Sequence, residues 1–178
     1  MSSVTAIGNR KSTHRNLEQL SQCRFEDLDA LYRAGHAKRD LSILDGAPQS
    51  RMLCVRYLDS ALPATPIQLF AASRFFPWAG KRFQAVSKSR GEGINRIRLL
   101  GEREWFAFQT RVEASKIDGK PAILLDYDQP GNPWFIRGIR DELREVSPGL
   151  FIGPAMWQQG EHCTTVLWFG IDTRHNGA

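Results

Sequence analysis

The stretch AILLDY ends an apolar run on Asp126 and Tyr127, a carboxylate beside a phenol where a buried strand would stop. Such a pair can take up and return protons if a substrate lies within hydrogen-bond reach. Three cations stand in strand-like segments: Lys81 in KRFQAV, Arg98 in NRIRLL and Arg111 in REWFAFQTRVEA. Alternation puts Trp105, Ala107, Gln109, Arg111 and Glu113 on one face of the last segment and Phe106, Phe108, Thr110 and Val112 on the other. The second face is core. The strand arginines then have two readings. Either they are solvated on an outer sheet face, or they form a cationic set, with Lys81, in a mostly apolar cavity where polar anchors fix a ligand.

The cavity reading predicts an interior lined by Trp78, Phe83, Phe106, Phe108, Leu124 and Trp168, with Lys81, Arg98 or Arg111 in its wall. An unpaired buried charge is costly, so a lining cation without an internal acid would be met by a ligand carboxylate or phosphate. The protein is then expected to bind a small hydrophobic or aromatic acid. The alternative makes the same cavity a cofactor-free isomerase, cyclase or hydrolase working through Asp126, Tyr127 and a cation. A carboxylate or phenol pointing inward beside a cation separates the two, because proton transfer needs a tuned group and binding does not.

No cofactor and no metal are expected. The chain has no phosphate loop, nucleophile elbow, paired metal-binding histidines or kinase signature. His14, His36, His162 and His175 fall in tail, loop or terminal contexts, and Cys23, Cys54 and Cys163 are too far apart for a CxxC site. The acidic group Asp126, Asp128, Asp141 and Glu142 has the chemistry for a hard cation or for acid/base work. Against that, Asp128 lies in a turn, Asp141 reads as a solvated helix position, and Asp126 can cap the turn into DQPGNP. Aromatic and basic residues interleave on the strands, as on oligonucleotide-binding sheets. The acids of FED, DLD and RDELRE break any one-sided basic face, however, so no nucleic acid partner is expected.

These side chains need a scaffold. The 178 residues fit one domain, and 42% hydrophobic with 24% charged residues is ordinary globular composition, which excludes bulk disorder. Residues 1–15 read as a basic, Ser-rich flexible leader, and 16–178 as a single domain. No window approaches the roughly 18 apolar residues that span a bilayer, so no membrane is expected, and the scattered cysteines suit a reducing, cytoplasmic setting. Leu17, Leu20, Phe25, Leu28 and Leu31 are spaced for an N-terminal helix ending at Gly35, with a break near Cys23. Seven segments read as strands, at 51–58, 81–86, 95–100, 103–114, 120–127, 150–157 and 164–171. Short strands joined by short turns predict a mainly β fold, an antiparallel barrel or sandwich, with the barrel as the architecture carried forward. A second helix is predicted over 133–146, packed on the barrel. Asn132 is its cap, Pro133 its first residue, and Phe135, Ile136, Ile139, Leu143 and Val146 its apolar stripe.

The stretch FFPWAGKRF, residues 75–83, resembles the Gly-x-Trp signature that opens the lipocalin barrel. It is more similar still to the W-x-G-K-x-F portion of the bacterial Gly-x-Trp-x-Gly proteins, with Phe76 or Pro77 where that signature has its first glycine. The stretch LLDYDQPGNPWFIRGIRDELREVSPGLFIG resembles the later part of the same proteins, and Asp126–Tyr127 echoes the lipocalin TDY. This resemblance, over about residues 75–157, implies a calycin-like barrel, a small-molecule ligand and a tryptophan, Trp78, that plugs the closed end. It implies no catalytic residue.

Overall fold

The computed structural model describes residues 16–56, 78–98 and 100–175. The expected leader, and residues 75–77 of the tryptophan stretch, lie outside the described residues. Eight strands form one antiparallel sheet: β1 (Gln49–Val55), β2 (Trp78–Ser87), β3 (Arg90–Arg98), β4 (Glu102–Ala114), β5 (Pro121–Asp126), β6 (Ile139–Ser147), β7 (Leu150–Gln159) and β8 (His162–Asp172). Their order is β1-β8-β7-β6-β5-β4-β3-β2, a meander from β2 to β8 with β1 added beside β8. Each of the seven segments read as a strand overlaps one of these eight.

The sheet curls into a half-barrel whose edges approach at one place. Gly46, just before β1, exchanges backbone hydrogen bonds with Phe83 of β2 at 3.0 and 2.8 Å. Close by, Gly80 has φ +118, and a Cβ there would lie 2.8 Å from the Ser50 side chain. Only glycine combines that backbone angle with that approach.

Two apolar layers result. Phe83, Phe108, Ile123, Leu125, Leu143 and Phe169 fill the concave interior, joined by Leu41 and Leu44 of the 3-10 turn Leu41–Leu44. The convex face carries Leu53, Ala122, Leu150, Ile152 and Trp168, covered by Leu17, Leu20, Leu28 and Tyr32. These come from helices α1 (Leu17–Leu20) and α2 (Phe25–Ala34), separated by a turn at Ser21–Cys23 where the break was expected. Asn16 caps α1 by accepting from the Gln19 amide, and the Gln19 side chain answers the Asn16 amide. No helix among the described residues is long and apolar enough to cross a membrane.

The predicted 133–146 helix is not there. One helical turn, α3 (Trp134–Arg137), ends at Gly138, and the chain continues as β6 in the middle of the sheet. In β6, Asp141, Leu143 and Glu145 share the concave side, while Arg140, Glu142 and Arg144 point to the convex side, beneath α2. Asp141, Glu142, Arg144 and Glu145 are all buried. Buried ions survive when they are paired and hydrogen-bonded, and each of these is. Glu142 accepts from Tyr32, Ser115 and the Lys116 amide at 2.6, 2.5 and 2.9 Å. Arg144 grips both oxygens of Asp118 and donates to the Pro121, Lys120 and Tyr32 carbonyls. Glu145 meets Lys38 at 2.6 Å. The stripe that looked helical was a strand with charges on both buried faces.

Candidate functional site

Among the described residues, the concave interior holds a buried polar cluster around Lys81. Lys81 of β2 is 3% exposed, and its ammonium has three acceptors: Asn95 Oδ1 at 3.0 Å, Tyr127 OH at 2.5 Å and Asp141 Oδ2 at 2.8 Å. Three N–H groups meet three acceptors, so the head group is fully coordinated. Strand register assembles the set. Lys81 pairs with Asn95 across β2 and β3, and Leu125, two residues before Tyr127, pairs with Asp141 across β5 and β6. Four rings wall the ammonium, with centroids 5.6, 5.3, 5.2 and 5.0 Å away for Trp78, Phe108, Tyr127 and Phe169. Cation–π attraction at those distances strengthens in a desolvated setting.

Asn95 ties the cluster to the backbone. Its Oδ1 also accepts from Trp78 Nε1 at 3.1 Å, and its Nδ2 donates to Tyr127 OH and to the Phe106 carbonyl. Phe106 is the extra residue of a β-bulge opposite Ile94 and Asn95, and its φ is +63. A non-glycine residue in that region costs about 1–2 kcal/mol, and the Asn95 bond holds the carbonyl that the bulge turns out of the ladder. Backbone strain of this kind gathers where a side chain must be aimed. Tyr127 completes the circuit by donating to Asp141 Oδ2 at 3.2 Å. Every polar atom of Lys81, Asn95 and Tyr127 is thereby used. Asp141 Oδ1 is buried without a hydrogen-bond partner among the described residues.

Burial draws the Lys81 pKa below its ordinary value, with Asp141 pulling the other way. The Tyr127 phenol is held well above its usual value by burial and by the Asp141 charge. Tyr32, buried on the convex side against Glu142, is raised for the same two reasons. A raised phenol pKa means stability that is complete below the unfolded value of about 10 and is lost as pH climbs above it, when only the unfolded chain ionises. Lys81 has the opposite sign, but its effect ends near its unfolded value of about 10.4. Stability is therefore expected to fall steeply above pH about 10, with the near-UV phenolate absorbance of both residues appearing only as the chain unfolds. Tyr127→Phe should flatten that alkaline slope. A phenolate signal from Tyr127 in the folded chain, assigned by comparison with that variant, would contradict the buried network.

The interior brings together Trp78, Lys81, Phe83, Phe108 and Tyr127 from the sequence expectations, with Phe106 packed against them from its bulge. Trp78 is half-buried at the start of β2 rather than a sealed plug. Five expected residues sit elsewhere, four of them because strand alternation gives them the convex face. Trp168 packs against Tyr32 and Phe25 under the helices. Arg111 pairs with Asp126 at 2.9 Å and with Glu113 at 2.5 Å. Leu124 and Asp126 line a shallow convex pocket of about 380 Å³ with Asp128, Arg137, Arg140 and Gln158. Arg98, at the end of β3, is exposed. Sequence reasoning passed over Asn95 and Phe169 and set Asp141 aside as a solvated helix position. In NRIRLL, Asn95 alternates onto the face of Ile97, opposite Arg96 and Arg98, and that was its signal. Asp141 carried none once β6 was read as a helix.

No family model matches the chain, and no curated protein matches it. Among solved structures, the chain is similar to a protein from Thermomonospora curvata known from its crystal structure, with a TM-score of 0.50 and 17% identity over 84% of this chain and 87% of that one. At that identity the likeness bears on the fold alone, and it is a likeness of curled antiparallel half-barrels.

Proposed function

We propose that the concave face of the half-barrel binds a small apolar or aromatic molecule, in the manner of a calycin-like barrel, with the Lys81 cluster as its polar anchor. The observation that carries this reading is a buried ammonium inside a box of Trp78, Phe108, Tyr127 and Phe169. Ligand sites are built this way, as aromatic walls with a few fixed polar groups. Trp78 is half-buried, so the box has an outward edge. Lys81 already has an internal acid, Asp141, so the cation needs no acidic ligand to neutralise it.

A second reading rests on a separate observation. An amine whose pKa is lowered by burial stands 2.5 Å from a phenol, which suits proton transfer on a ligand held in the box. In that case Asp141, rather than Asp126, is the carboxylate of the set.

Titration with the neutral fluorophore N-phenyl-1-naphthylamine tests the binding reading. Saturable enhancement at one molecule per chain is expected, and Phe169→Leu should weaken it about fivefold or more, since shape loss in an apolar pocket is worth about 1–3 kcal/mol. Leu124→Val on the convex face should leave it unchanged. Equal effects of the two substitutions, or no saturation, would overturn the assignment of the concave face.

A further inference from the structure

Among the described residues, the donors and acceptors of the interior cluster are all used except one, and the neighbouring strand β7 holds its complement on the same face. Asp141 Oδ1 is a buried acceptor without a partner among the described residues, and Trp157 Nε1 is a buried donor without one among them. Asp141 pairs with Ala155 across β6 and β7, and Ile139 pairs with Trp157. Asp141 and Trp157 are thus diagonal neighbours on the concave face, where Ile139, Ala155 and Trp157 all join the interior apolar cluster. Such neighbours lie about 7–8 Å apart at Cα, within reach of a long side chain. A third orphan, Trp168 Nε1, is on the opposite face beneath the helices, where no buried side-chain acceptor of the described residues is unpaired.

We infer that the interior selects a neutral head group that both donates and accepts, such as a hydroxyl, an oxime or a primary carboxamide. Its hydrogen goes to Asp141 Oδ1 and its oxygen accepts from Trp157 Nε1. The inference rests on the binding reading above and names its ligand class. An anionic head is disfavoured by the same geometry. The three N–H groups of Lys81 are committed to Asn95, Tyr127 and Asp141, so a ligand carboxylate would meet the Asp141 oxygen with no free cation to balance it. Buried polar groups left unpaired by the wrong ligand are a strong source of discrimination. This replaces the acidic ligand expected from the sequence, where Asp141 had been placed on a solvated face.

Four naphthalenes of one shape separate the possibilities: 2-naphthamide, 2-naphthol, 2-naphthoate and 2-methylnaphthalene, each titrated at neutral pH by tryptophan quenching. The amide and the naphthol are expected to bind about tenfold more tightly than the other two, the worth of two hydrogen bonds. Trp157→Phe keeps a ring and removes the N–H, so it should weaken the amide several-fold more than it weakens 2-methylnaphthalene and thereby erase much of the amide preference. In the native protein, the assigned Trp157 indole N–H resonance should shift with the amide and stay still with 2-methylnaphthalene. Tightest binding by the naphthoate, equal binding by all four, or an amide preference that survives Trp157→Phe would overturn the head-group inference and leave the binding reading standing. No binding by any member, with no saturation by the neutral fluorophore either, would overturn that reading itself.

Discussion

Lys81→Met is expected to lose about 3–5 kcal/mol of stability at neutral pH, far more than the loss of the lysine's contacts alone would give. The substitution strands the Asp141 carboxylate in an aromatic interior with only Tyr127 still donating to it. A buried carboxylate left without its cation is what makes the loss large, and the loss is read as the shift in denaturant midpoint against the native chain. Pairing the change with Asp141→Leu should recover much of the loss, because two apolar groups replace two buried charges. A double variant that simply adds the two single losses would mean that the 2.8 Å contact carries no coupling.

Most strands were legible because they alternate. In REWFAFQTRVEA the face holding Phe108 and Thr110 is buried and the face holding Trp105 and Gln109 is exposed, as the period of two requires. The chain from Ile139 to Ser147 failed the same test for a physical reason. Alternation reports a strand only when one face is apolar or one face is wet. Here both faces are buried and both carry ions, Asp141 and Glu145 on one and Glu142 and Arg144 on the other. Leu143 and Val146, three apart, then looked like the edge of a helical stripe. The site inherited that error. Lys81, Phe108 and Tyr127 were visible as a cation, a core ring and a strand-end phenol, but the acid that joins them was assigned to solvent. Leu124, Asp126 and Trp168 were misplaced by a smaller step, since one residue along a strand is the difference between the two faces. An apolar residue reads alike on both when helices cover the outside.

Gly153→Ala is expected to cost about 3 kcal/mol or more, at the upper end of what one added methyl does in a packed core. A Cβ at this position would lie 1.7 Å from the Glu142 carbonyl oxygen and 2.9 Å from its carbon, so the clash is with backbone and no side chain can turn aside. Neither strand is free to yield. Gly153 is fixed on its other side by pairing with Phe169 of β8. Glu142 is fixed through its carboxylate, which Tyr32, Ser115 and the Lys116 amide hold from the convex face, and through Leu124 on β5. Pro154, the next residue, has no N–H to lend the ladder. Pushing Glu142 outward would also move Asp141, its chain neighbour, and lengthen the contact with Lys81. The variant should therefore lose interior binding together with stability. Gly131→Ala is the matched control, since a Cβ there meets nothing within 4 Å and that loop residue has no positive φ. It should stay within about 0.5 kcal/mol of the native chain. Equal midpoints for the two variants in thermal denaturation would mean that β6 and β7 do not approach as closely as the strand register requires.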